Sequence, residues 1–435
     1  SHQDTTSVYI QKALSNKTPY ALRVRYTQKA VAALALEQND SVNRDQLIKM
    51  CINFNDLNSW IGIKETSKIC LKKSQEANDD YFTGQSYRWI GVYYENLSLN
   101  DSAFYYYLRA EKTFKKINNK KALCDIYTDK ALVLFYTCNY IESETALIAA
   151  LKIANRLKLK KQKISIFTNL GLNLVSLRDY ESAIEYYEKA LKLSQGEKSE
   201  NFKISEIILL NNIAICYERI EDLVCAEIFY KKSLKKNTVN QSIIFTPSYC
   251  VSIDNLANVK TKNKKFYDVE KMLSKTLKIR DSLKIQQGAE FNLLFFSDYY
   301  YAIKNELKAQ DYAAKAYNLS LSFKNAGDIL ISLKQLIKVD PENALKYSEE
   351  YIKVSDSMQQ LERVTRNKFA KIAYETEEIT QQKNTALKNY RRVWIIASGI
   401  IALLVLLLII RAQAAKKREL ELKQIQQKAN EEISN

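Results

Sequence analysis

The chain has 435 residues, with 66 lysines and arginines against 49 aspartates and glutamates, a net charge of +17. The lysines are diffuse, and no helix-turn-helix, zinc-finger or basic-arm pattern accompanies them, so the charge argues against nucleic acid and for a solvated helical surface near anionic lipid. Eight glycines and three prolines over this length predict mostly long helices, since both residues punctuate turns.

The N-terminal stretch, residues 1–43, reads as a helical cap. It opens without a positively charged, apolar leader; if the domain is exported, the leader has been removed or was never included. Ser1 to Tyr20 predicts a short helix and a loop, with Thr18-Pro19 ahead of the next helix. That second helix ends near Asn39, and its Ala30, Ala33 and Leu34 form one apolar face.

Residues 44–355 repeat. The clearest copy is Ile164 to Glu197, two helical patterns joined at LRDY. Phe167, Leu170, Gly171 and Leu174 lie on one stripe, and Ala183, Tyr187, Ala190 and Leu191 on the other. The small residues Gly171, Ala183 and Ala190 stand where two antiparallel helices approach most closely. Earlier copies carry Tyr127, Ala131, Leu134, Tyr140 and Ala150, then Tyr87, Gly91, Tyr94, Ala103, Tyr107 and Ala110, and more faintly Leu47, Phe54, Ile63, Cys70 and Leu71. Later ones carry Ile213, Ala214, Tyr217, Ala226 and Tyr230; Leu256, Ala257, Phe266 and Leu273; and Phe296, Tyr300, Ala309, Ala313 and Ala316. A last, compressed copy runs from about Asn325 and carries Ala344, Tyr347 and Tyr351. The order of aromatic, Leu-Gly, Ala, aromatic and Ala resembles the tetratricopeptide repeat (TPR). That likeness implies an all-α, TPR-like right-handed α-solenoid with a concave face for a peptide or protein. Tyr140 to Tyr180 and Ala150 to Ala190 give a period of 40 rather than 34, so helices or loops are longer. Gln195 replaces the usual closing proline, which predicts a looser turn there.

The 29 tyrosines fit such an array, each ring filling a hole between helices while its hydroxyl reaches water. Tyr87, Tyr94, Tyr127 and Tyr217 are candidates for the concave face, but they match core positions, and the ligand-binding residues stay unassigned. Seven cysteines, Cys51, Cys70, Cys124, Cys138, Cys216, Cys225 and Cys250, form no CxxC or metal-like pair; most sit at apolar positions, which argues against a disulfide framework.

Residues 356–392 read as a connector helix, with Phe369, Ile372, Thr376 and Ile379 as its packing stripe and ion pairs from Glu362 to Arg366 and Lys371 to Glu375. Residues 393–410, VWIIASGIIALLVLLLII, form an uncharged run that spans roughly 27 Å as a helix, near the hydrocarbon thickness. Tyr390 and Trp394 stand where an interfacial ring belongs. Lys383, Lys388, Arg391 and Arg392 precede the run, and Arg411, Lys416, Lys417, Arg418, Lys423 and Lys428 follow it, which favours a cytoplasmic C-terminus. Residues 411–435 start a coiled coil through Leu422, Ile425 and Ala429, with Ile433 one place late for a strict heptad. A homodimer through this seam is a candidate.

No glycine-rich phosphate loop and no GxSxG elbow occurs, and the sole histidine is His2. Asp79-Asp80, Glu221-Asp222, Glu349-Glu350 and Glu377-Glu378 solvate helix ends or faces. No catalytic, cofactor-binding or metal residue is assigned, and no enzyme activity is expected of these residues.

RNKFAKIAYETEEI (Arg366 to Ile379), the span after it and LKQIQQKANEEI (Leu422 to Ile433) are together similar to TPR-bearing sensor histidine kinases of the Bacteroidetes, especially flavobacteria. The likeness implies a periplasmic array, a single pass through the inner membrane and a cytoplasmic coiled coil leading to a phosphoacceptor helix and an ATPase domain. ATP would belong to that kinase core, which this sequence lacks. The last helix is still running at Asn435, so a further domain is expected. The function implied is sensing and transmembrane transmission through peptide or protein binding. The alternatives are a membrane-anchored TPR scaffold or assembly protein, and the input half of a membrane-bound transcriptional regulator.

Overall fold

The computed structural model describes residues 2–15, 17–196, 200–237, 246–286 and 288–434. Among them every regular element is a helix. The chain divides into two units, Ser1–Ala370 and Lys371–Asn435.

The first unit is a stack of antiparallel helices. They are α1 His2–Leu14, α2 Tyr20–Leu36, α3 Ser41–Asp56, α4 Trp60–Glu76, α5 Asp80–Asn96, α6 Asn100–Lys116, α7 Lys120–Tyr136, α8 Tyr140–Arg156, α9 Lys160–Ser176 and α10 Tyr180–Ser194. There follow α11 Glu200–Arg219, α12 Leu223–Asn237, α13 Thr246–Lys262, α14 Val269–Leu283, α15 Ala289–Ala302, α16 Glu306–Phe323 and α17 Ala326–Val339. A 3-10 turn, Pro341–Asn343, then leads into α18, Ala344–Ser434. The helix that carries Ala344, Tyr347 and Tyr351 runs without a break into the stretch read as the connector, since no glycine or proline separates the two.

The 40-residue period resolves into a 20-residue beat. Left-handed residues recur at Asn58, Asn78, Ser98, Asn118, Cys138, Lys158 and Arg178, with φ between 49° and 64°. At each, the next residue's N–H reaches back to the carbonyl five positions earlier, as in Asp79 to Ser74 at 2.8 Å and Leu99 to Tyr94 at 2.9 Å. This is a Schellman stop that satisfies the last carbonyls of the helix. Asp79, Asn119 and Asp179 then accept from N–H groups of the helix that follows. The excess over a 34-residue repeat therefore lies in 17-residue helices, while the turns stay three residues long. Scarce glycine did not mean few turns; other residues hold the left-handed positions.

The glycines stand instead at the crossings. A Cβ on Gly91 would lie 2.5 Å from the Tyr107 ring, and one on Gly62 2.6 Å from the Phe54 ring. One on Gly171 would strike the Tyr187 ring. Ala103, Ala110, Ala183 and Ala190 are fully buried opposite them. Helix axes can close to that distance only where no side chain intervenes. Cys51, Cys70, Cys124, Cys216 and Cys250 are buried, and Cys138 and Cys225 are half-buried.

The second unit is helical throughout its described length. Within it Thr385–Gln424 is long and apolar enough to cross a bilayer, and the core of that stretch is wholly uncovered. The large apolar side chains from Val393 to Ile410 are about half to two-thirds exposed, with Tyr390 edge-on to Trp394 at 6.2 Å. A helix apolar all round suits an apolar surrounding, such as a bilayer interior. The side chains of His2, Arg366, Glu375, Glu377, Glu378, Ile379, Lys383, Ile425, Lys428, Ala429 and Ile433 lie outside the described residues.

Candidate functional site

The stack has an inner side. Among the described residues, consecutive odd-numbered helices meet one another (α3 with α5, α7 with α9, α11 with α13, α13 with α15, α15 with α17), whereas of the even-numbered ones only α2 and α4 do so to a like degree. In a curved stack the elements that crowd together are those on the inside of the bend, so the odd-numbered helices form the concave face.

Polar side chains run along that face like rungs, each joining residues about one repeat apart. Arg88 on α5 donates to Asp129 on α7 through Nε at 2.6 Å and Nη2 at 3.3 Å, and its Nη1 lies 3.6 Å from Asp125. Gln162 on α9 donates to the other Asp125 oxygen at 3.2 Å. Further along, Asn258 and Lys262 on α13 donate to Glu218 on α11 at 2.8 and 2.6 Å. Gln335 and Lys338 on α17 donate to Asp298 on α15 at 3.1 and 2.7 Å. Asn292 on α15 donates to Asp254 on α13 at 2.8 Å, and Asp254 also faces the buried Arg280 guanidinium at 2.6 Å.

Behind the rungs lies a second set of bonds. The Tyr107 hydroxyl donates to Glu95 at 2.5 Å, and Tyr230 to Glu218 at 3.1 Å, each across twelve residues. The sequence predicts hydroxyls that reach water; these two fully buried tyrosines send theirs to carboxylates instead. A carboxylate twelve residues ahead of a core tyrosine is the signal that could have found them. In the central copy Val175 holds that place, and the buried Tyr187 hydroxyl has no hydrogen-bond partner.

Burial pushes the Glu95 carboxyl up to about 7, while the Tyr107 bond and Arg88 pull it down and Asp129 adds to the rise. Burial raises Asp129 as well, opposed by Arg88. Asp254 is raised by burial against the pull of Arg280, Thr276 and Asn292. Each of these acids is held by donors aimed at its oxygens, which is the chemistry of positioning and recognition. Among the described residues no group of three His, Cys, Asp or Glu is placed to hold a metal ion.

The four tyrosines singled out from sequence are chiefly packing residues. Tyr87 is buried under the Arg109 guanidinium, 4.3 Å from its ring centroid. Tyr94 stacks on Tyr106 at 5.5 Å and Tyr217 on Phe229 at 5.4 Å. Tyr127 packs against the core between α7 and α9. The rungs themselves went unread, because a polar residue on a helix looks solvated until its partner 40 residues away is known.

Residues 122–196, covering α7 to α10, match the tetratricopeptide repeat family model. No curated protein matches the chain. Among solved structures it is similar to a Rap protein complexed with competence and sporulation factor, at 12% identity and TM-score 0.57, over 83% of this chain and 99% of that one. It is also similar to the apo form of the quorum sensor NprR from B. thuringiensis, at 14% identity and TM-score 0.56, over 81% and 98%. A third is the Rap conjugation gene regulator of plasmid pLS20 in complex with the Phr* peptide, at 10% identity and TM-score 0.53, over 83% and 96%. The fold is that of a TPR solenoid followed by a candidate membrane span.

Proposed function

We propose that the array binds a peptide or protein along the odd-numbered helices and that α18 carries the event toward the bilayer. In this reading the chain is the sensing and transmitting part of a two-component, sensor histidine kinase-like protein. Its array lies outside the cytoplasm and the residues after 411 lie inside. The observation that carries the reading is the run of α18. One helix leaves its packing among α15, α16 and α17 and continues into Thr385–Gln424. No glycine or proline interrupts it before Gly399, so no hinge of those residue types lies between receiver and span. Two structural neighbours, one named in complex with competence and sporulation factor and the other with the Phr* peptide, support a peptide or protein as the ligand. The half-exposed rungs suit that task, since Arg88 with Asp125 and Lys338 with Asp298 leave both donors and acceptors within reach of an extended backbone.

The test is selection of binders from a displayed random peptide library against the full chain in lipid nanodiscs. Synthetic copies of the enriched peptides are then mapped by hydrogen exchange. Expected are enriched peptides that protect α5, α7 and α9, or α11, α13 and α15, with binding weakened at least tenfold by Arg88→Ala or by Asn258→Ala. No enrichment, or protection confined to even-numbered helices, would overturn the reading in favour of a scaffold that holds larger partners.

A further inference from the structure

Between α17 and the second unit, α18 shows a stripe that ordinary helix exposure does not explain. Tyr351, Ser355, Met358, Glu362 and Thr365 are half-buried and Phe369 is buried, at alternating spacings of four and three. On the other side Ile352, Leu361 and Val364 are exposed. At its start the stripe is anchored in the last repeats. Tyr347 and Tyr351 pack against their core, and Lys334 lies 5.5 Å from the Tyr351 ring centroid. From Tyr351 to Phe369 the helix advances about 27 Å.

It lands on α6, far back in the array. The Phe369 ring stacks on that of Phe104, with centroids 4.6 Å apart and planes within 2° of parallel. Phe369 is 3% exposed, though Leu361, Val364 and Lys368 beside it are open. Beside it Lys368 pairs with Asp101, three residues before Phe104 and so on the same face of α6. Lys130 of α7 lies 5.5 Å from the Phe104 centroid and is itself paired with Glu111 at 2.5 Å. One turn-pair earlier, Glu362 is near enough to Tyr140, at the start of α8, to help hold its hydroxyl protonated, after the larger effect of burial. This face of α6 is separate from the one that builds the repeat, where Ala103, Tyr107 and Ala110 meet the neighbouring helices. Undocking α18 would leave that packing whole.

We propose that Asp101, Phe104 and Lys130 form a docking surface for an amphipathic helix bearing a basic–aromatic pair. Its resident occupant is Lys368-Phe369 of α18. The proposal rests on the reading of the array as a receiver and adds what the receiver controls. A ligand that disturbs α5 to α7 releases the clasp, and release frees the helix that leads to the span. One stacked ring pair and one half-exposed ion pair suit such a clasp. The tether supplies a high effective concentration, so contacts of this size keep it closed yet leave it open to competition.

The probe is a fluorescent synthetic peptide of residues 351–376, added to the full chain in nanodiscs. Wild type, with the surface occupied, should bind it weakly. Phe369→Ala should bind it at least tenfold more tightly, and adding Phe104→Ala should abolish that gain. A Phe369→Ala chain no better than wild type, or a gain that survives Phe104→Ala, would overturn the proposal. A second measurement needs no probe. Asp101→Lys and Lys368→Asp should each speed hydrogen exchange in residues 356–370, and the double variant should restore protection. Failure of the double variant to restore it would count equally against the clasp. Because the probe comes from this chain, library selection can succeed while the clasp fails, or the reverse, so the two readings fall separately.

Discussion

The pairs α5–α6 and α9–α10 share one register but meet at their crossings with different chemistry. In both, a glycine (Gly91 or Gly171) admits a fully buried tyrosine ring, Tyr107 or Tyr187. In the first pair the hydroxyl ends on Glu95, which lies behind the rung that Arg88 and Asp129 form on the concave face and feels both of their charges. In the second, Val175 leaves the hydroxyl without a partner. The steric part of a repeat is thus fixed by the crossing, while the polar part varies copy by copy and gives each stretch of the concave face its own character.

The largest expected difference is in pH dependence. Folded, Glu95 gives up its proton near pH 7, whereas in an unfolded chain a glutamate does so at about 4.3. Between those values the folded state binds the extra proton. Stability present below about pH 4.3 is therefore lost as pH rises toward about 7, by on the order of 3 kcal/mol. Glu95→Gln keeps an acceptor for Tyr107 and removes the titration. Hydrogen-exchange protection of α5 and α6 should fall from pH 4.5 to pH 8 in wild type relative to this variant, while α9 and α10 show no such difference. An offset between the two chains that is the same at every pH would show that Glu95 is not the titrating group.

A smaller effect separates the tyrosines. Tyr107→Phe strands a buried carboxyl and should cost about 1–2 kcal/mol. Tyr187→Phe removes a hydroxyl that is already unsatisfied and should cost about 0, or stabilise slightly. Thermal unfolding of the two variants checks this, and equal losses would erase the distinction between the copies.

The same contrast explains what the sequence could and could not show. The register was legible because close approach demands Gly or Ala opposite an aromatic, a constraint that Gly171, Ala183, Tyr187 and Ala190 display within one repeat. The 20-residue beat of turns was not, since Ser98, Cys138, Lys158 and Arg178 stand where a left-handed residue would ordinarily announce itself as Gly or Asn. The rungs join residues such as Arg88 and Asp129, 41 apart, that individually resemble solvated helix positions. The Phe104–Phe369 stack joins residues far apart in sequence, and neither local pattern names the other. Local sterics write themselves into sequence, whereas pairings across repeats do so only once the superhelix is known.

In the proposed reading, receiver and tail lie on opposite sides of one membrane, joined by α18. Single cysteines at Gln28 on α2 and at Gln413 after the apolar run, in a chain whose native cysteines are replaced, can be challenged in whole cells with a membrane-impermeant thiol reagent. Labelling is expected at residue 28 in intact cells and at residue 413 only after permeabilisation. Labelling at 413 alone in intact cells, or at both sites, would contradict it.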